Sequence, residues 1–204
     1  MTDAIDWDAV YLRNHSSRLT RPTAWFESAI ELVAAAEAIA PMVTAYWESM
    51  AVWQKDKSQI FNEHSGHHAF LMLYAFACEN YCKGYLSTQL SADERDKLAN
   101  LGTFPKSLQT HNLVRLASDV GFNSAGIEDE ELLRRLTHAA VWAGRYPVAT
   151  QFDAAVTEKF SDGRTYSLSY YAANDVNRVR DLAVRLRDHV GARSSYRVPR
   201  RVGA

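Results

Sequence analysis

One stretch constrains the rest of this chain more than any other: Ser65 to Leu90, SGHHAFLMLYAFACENYCKGYLSTQL. Ala69 through Cys78 run apolar without a break, and Tyr81, Cys82, Tyr85 and Leu86 continue at helical spacing. A helix that is apolar on nearly all sides has to be covered by other helices or by lipid. Glu79, Asn80 and Lys83 interrupt the run before it reaches the roughly 20 apolar residues that a bilayer span needs. The stretch therefore reads as the central helix of a helical bundle in water.

The flanking sequence supplies the neighbours such a helix requires. Residues 1 to about 21 show no clear period but carry Trp7, Val10, Tyr11 and Leu12, which suits a docking arm. Thr23 is the expected N-cap of a helix whose stripe is Trp25, Phe26, Ile30, Leu32, Val33 and Ala36. Pro41 is expected to end or kink it, and a second run follows from Met42 to about Lys55. After Leu90, Ser91 is placed to cap a short acidic helix stopped at Gly102. Leu113 to Val120 forms a short amphipathic helix ended by Gly121. Ile127 to Ala143 forms another, opened by Glu128, Asp129, Glu130 and Glu131 at the positive end of its dipole. Ser161-Asp162-Gly163 marks a turn between two short segments, a hairpin signal within 150–168. The last helix is expected from about Tyr171 to Val190, with Gly191 as its stop.

These periods predict an all-α antiparallel helical bundle carrying a small β-hairpin insertion. The chain divides into an N-terminal arm and helical extension (1–60) packed on the same domain, a bundle (61–191) and a basic disordered tail (192–204). The 204 residues suit one domain, and a hydrophobic content of 47% is enough for a core. The net charge of −1 gives no bulk attraction to nucleic acid, although the charge is split. From Asp175 onward eight arginines face three aspartates, while the preceding residues are net acidic. A basic end suits phosphates or an acidic partner surface; a solvated arginine-rich helix is the plainer reading. Cys78 and Cys82 lie four apart on the central helix, where they act as small core residues rather than a disulfide. The N-terminus lacks a signal-peptide pattern, so a cytoplasmic setting without membrane association is expected.

Three stretches, in order, resemble the HEPN domain, a helical family named for its occurrence in higher eukaryotes and prokaryotes and for nucleotide binding. Ala77 to Leu86, ACENYCKGYL, resembles the family helix in which a glutamate precedes a lysine. Gln109 to Leu116, QTHNLVRL, is similar to the family's H-D-L opening of a short helix. Arg145-Tyr146-Pro147 resembles the R-Y-P exit that follows the next helix. The resemblance spans about residues 66–190. It implies a four- to five-helix bundle working as a homodimer, with RNA, a nucleotide or another protein as partner and no cofactor. The implied setting is a bacterial defence or toxin–antitoxin system. Ribonuclease members of the family carry an Arg, four to six residues, and a His, and two such motifs meet across the dimer on the scissile phosphate.

This sequence departs from that motif. Arg134 and His138 have three residues between them, and Arg135 and His138 have two. Arg134 and His138 still share a helix face at i,i+4. If the chain is a metal-independent endoribonuclease, Arg134, His138 and Arg145 are its catalytic candidates, a guanidinium holding phosphate and an imidazole moving protons. Arg145, Tyr146 and Arg135 are the candidates for holding phosphate and stacking a base. A binding module is the leading reading, and a non-catalytic scaffold subunit with an exposed apolar patch around Trp47 or Trp53 is a third. His64, His67 and His68 do not make a metal site with the distant cysteines, since His68 and Cys78 stand about 15 Å apart along the helix. Glu79 and Lys83 form an i,i+4 ion pair, and His111-Asn112 begins the short helix in a capping or packing role. No Walker loop, G-x-G-x-x-G, nucleophile elbow or H-E-x-x-H is present.

Overall fold

The computed structural model describes residues 5–60, 65–123, 126–143, 158–159, 163, 165–166 and 171–194. They form an all-α helical bundle around the expected central rod, α3 (His67–Thr88). Fourteen of its residues are buried, including Phe70, Leu71, Tyr74, Ala77, Cys78, Tyr81, Cys82 and Leu86. Gly66, with φ of 63°, holds the left-handed turn that starts it. Both thiols are free and buried, and burial pushes the Cys78 thiol up to about 12.

The longest partner, α2 (Pro22–Lys55), packs along α3 through Phe26, Ala29, Ala36, Ala40 and Val43. One expectation is corrected here and another is narrowed. The N-cap is Arg21 with Pro22 in the first turn, not Thr23: proline there gives up only an N–H that has no intrahelical partner anyway. Of the two outcomes expected at Pro41, an end or a kink, the end is excluded, since the helix runs through it as one element. Proline inside a helix costs about 3 kcal/mol; Ala36, Ala40 and Val43, all buried on the same face, bracket Pro41, whose own ring faces solvent.

The N-terminal stretch is also more ordered than expected, forming α1 (Trp7–Thr20), capped by the Asp6 carboxylate at 3.1 Å from Ala9 N. It lies against α4 (Ala92–Leu101), where Ser16 donates to the Leu98 carbonyl at 2.9 Å. Ser16 is the one buried residue of α1, so no apolar period marks the helix. Ser91 caps α4 in a reciprocal capping box with Glu94. A short 3-10 turn, Lys106–Leu108, leads to α5 (Leu113–Asp119), capped by Asn112. α6 (Ile127–His138) passes directly into a π turn, Ala139–Ala143. The hairpin signal corresponds to a two-residue antiparallel ladder, β1 (Glu158–Lys159) with β2 (Thr165–Tyr166). α7 (Asp175–Arg193) starts four residues later than expected and runs through Gly191. Its end is held from α5, because Arg193 Nη1 donates to the Val120 carbonyl at 2.8 Å.

Candidate functional site

The end of α6, the start of α7 and the start of α3 meet around a buried polar cluster. Arg135, near the α6 C-terminus, is 2% exposed. Its guanidinium forks onto Asp175, the first residue of α7 and 1% exposed, with Nη1 at 3.0 Å from Oδ1 and Nη2 bonded to Oδ2. Asp175 also accepts from Ala172 N at 2.8 Å, and Glu131 Oε1 stands 3.6 Å from Arg135 Nη1. A bidentate pair with added backbone and carboxylate contacts is the form in which buried charges are tolerated.

α3 brings His67 to this pair. His67 is buried, and Nε2 accepts the Trp47 indole N–H at 2.6 Å. Its imidazole is packed edge-on by Tyr46 and Trp47 and lies against Tyr171, with ring centroids 5.3 to 5.4 Å away. Burial lowers its pKa; Asp175 pulls the other way, and His68 and Arg135 lower it further. Tyr171 titrates above its ordinary range, through burial first. The π turn that follows His138 adds a local irregularity of the kind that concentrates at functional sites.

Of the residues singled out in the sequence, Arg134 is partly exposed and clamped by Glu130, with Nε and Nη2 at 3.0 and 2.8 Å from Oε1. Arg135 and His138 face the interior. Arg145 and Tyr146 lie outside the described residues. Asp175, His67, Trp47 and Tyr171 complete the cluster without having been read as members of it. Asp175 lies 40 residues from its arginine, and no local spacing announces that pairing.

A second polar cluster sits farther along α3. Lys83 Nζ is 2.7 Å from Glu79 Oε1, the expected i,i+4 pair, with both side chains under a tenth exposed. His111 Nδ1 lies 3.1 and 2.9 Å from the two Glu79 oxygens. Facing a carboxylate, Nδ1 is the nitrogen placed to donate, and the His111 side chain is about half exposed. Asn112, not His111, supplies the helix cap.

Among the described residues, no group of three or more His, Cys, Asp or Glu side chains is placed to hold a metal ion. Four of the five arginines of α7 are met by carboxylates, and the fifth, Arg193, by the Val120 carbonyl. Arg180 forks onto Glu37 at 2.7 and 2.8 Å, and Glu37 also accepts the Tyr74 hydroxyl. Arg185 forks onto Asp129 at 2.7 and 2.8 Å and reaches Asp181 at 2.8 Å. Arg187 pairs with Asp188 at 2.8 Å, and Arg178 approaches Glu131 at 3.5 Å. No family model matches the chain, and no curated protein or solved structure matches it either.

Proposed function

We propose that this chain is a HEPN-like protein-interaction module that does not cleave RNA. The observation that carries this reading is the fate of six described arginines on α6 and α7. Arg134, Arg135, Arg178, Arg180, Arg185 and Arg187 each stand against a carboxylate of the same chain. Phosphate recognition needs guanidinium groups that can exchange water and counterions for phosphate oxygens. At Arg180 and Arg185 that exchange would first have to break bidentate contacts, and at Arg135 it would have to open the core. A ribonuclease built on Arg134 and His138 would have one arm pinned by Glu130 and an imidazole that is only 8% exposed. The HEPN assignment and the defence setting rest on the sequence resemblance.

The test is incubation of the full chain with labelled single-stranded RNA in EDTA, across 50 to 200 mM salt, beside His138→Ala and Arg185→Ala. The expected result is intact RNA and no salt-dependent retention. Cleavage that disappears in His138→Ala would establish the ribonuclease reading instead. Binding that falls steeply with salt and weakens in Arg185→Ala would establish an RNA-binding one.

A further inference from the structure

The outer face of α2 is built unlike a solvent face. Residues 32–47 read LVAAAEAIAPMVTAYW and contain one charge, Glu37. That charge is turned inward to Arg180 and Tyr74. The line Glu27, Glu31, Ala34, Ala38, Pro41, Ala45, Glu48, Val52 and Lys55 steps by alternating four and three residues, and all nine are exposed. Met42 and Val52, 48% and 53% exposed, border or lie on it. A surface helix normally carries charged residues on the face turned from its core. This one presents about four turns of alanine, proline and methionine to water, between Glu27 and Glu31 at its N-terminal end and Glu48 and Lys55 at its C-terminal end.

We infer that this face is the seat of a second copy of the same chain, the two α2 helices packing antiparallel about a two-fold axis near the middle of α2. The alternating four-and-three spacing is the repeat that keeps one seam facing a partner helix. Alanines at the seam let two backbones approach closely. Charge decides the direction. A parallel pair would set Glu27, Glu31 and Glu48 against themselves and Lys55 against itself, whereas an antiparallel pair sets Lys55 of one copy beside Glu31 of the other, twice by symmetry, with Glu48 opposite Ala38. α2 is long and apolar enough to cross a membrane, but its opposite face is already filled by α3 through Phe26, Ala29, Ala36, Ala40 and Val43. Glu27, Glu31, Glu48 and Lys55 also lie along the outer line itself. A protein surface with the same charge pattern reversed fits this face better than lipid does. The inference shares with the proposed function the premise that the chain works through protein contacts, yet the two fail separately, since RNA cleavage would overturn that reading and leave this interface standing.

The test is sedimentation equilibrium of the full chain over a wide concentration range, with far-UV circular dichroism to confirm that each variant is folded. The wild type is expected at twice the chain mass. Ala38→Glu is expected to weaken association by about tenfold or more, the equivalent of about 1.4 kcal/mol. Glu31→Lys and Lys55→Glu are each expected to weaken it by about twofold to fivefold, and the double exchange to restore it. A monomer at every concentration, or a dimer indifferent to Ala38→Glu, would overturn the inference. A charge exchange without rescue would overturn the antiparallel arrangement. Co-sedimentation of wild type with phosphatidylcholine vesicles, lost in Ala38→Glu, would reassign the face to lipid.

Discussion

Trp47 donates its indole N–H to His67 Nε2 across 2.6 Å, and this bond ties the distal part of α2 to the first residue of α3. Beyond Val43 no residue of α2 is buried. The Trp47–His67 contact therefore joins that stretch to the core at a titratable group. An imidazole that accepts at Nε2 is neutral, with its proton on Nδ1. Protonation would convert the acceptor into a second donor facing the indole N–H.

The consequence for stability follows from the direction of the His67 shift. Burial lowers the folded-state pKa below the ordinary 6.5. As pH falls through 6.5 the unfolded chain takes up this proton before the folded one does, so stability declines from there down through the folded-state pKa and then levels. Above 6.5 the contribution is complete. Urea unfolding at pH 7.5, 6.5, 5.5 and 5.0, followed by tryptophan fluorescence, is expected to show this loss in wild type. His67→Gln keeps an acceptor for the indole but cannot titrate, so its pH dependence is expected to be shallower over the same window. Equal slopes in the two proteins would show that His67 is not the group responsible.

Arg135 and Asp175 depend on each other more than either depends on the rest of the fold. Both are almost fully buried, and each holds the other's charge. Removing one charge leaves the other buried, which costs about 3–5 kcal/mol. Asp175→Asn is expected near the lower end, because Glu131 lies 3.6 Å from the same guanidinium. Replacing both by apolar residues of similar volume, Arg135→Met with Asp175→Leu, is expected to recover most of that loss. Denaturant midpoints of the two single variants and the double variant measure this directly. An Asp175→Asn protein within about 0.5 kcal/mol of wild type, the range of ordinary surface substitutions, would mean that the pair is not sealed from water.

How much of this was legible in the sequence depended on how local its cause was. The central helix was visible because its apolar residues leave no face for water. The Ser91 cap and the Glu79–Lys83 pair were visible because their partners lie three or four residues apart. α1 escaped because its only buried residue, Ser16, is polar and docks through a hydroxyl on the Leu98 carbonyl. Pro41 does not end α2 because a backbone rule meets a packing surface, Ala36, Ala40 and Val43, that outweighs it. The candidate site was legible only in part. Arg135 and His138 were singled out for phosphate chemistry, yet the partner that holds Arg135 is 40 residues away. His67 reads from the sequence as a residue of a helix N-terminus in preference to a metal ligand, and its partner, Trp47, comes from the preceding helix, 20 residues away.

At Gly84 the α3 backbone lies close against Phe26 of α2, and the position offers a direct test of the helix pair. A methyl group there would sit 2.6 Å from Phe26 Cε1 and 2.9 Å from Cδ1. Phe26 is fully buried, so its ring has no open space to enter. Glycine inside a helix normally costs about 1 kcal/mol relative to alanine, and Gly84→Ala would be stabilising if propensity decided the outcome. Overpacking a filled core costs about 1–3 kcal/mol, so the net effect expected is destabilisation of up to about 2 kcal/mol. Shrinking the neighbour relieves the clash: Phe26→Leu, destabilising by itself, is expected to cost less in the Gly84→Ala background than in wild type. A double-mutant cycle from urea unfolding reads this as a coupling of about 0.5–3 kcal/mol. Additive effects, or a Gly84→Ala protein more stable than wild type, would show that α2 and α3 do not approach as closely as this contact requires.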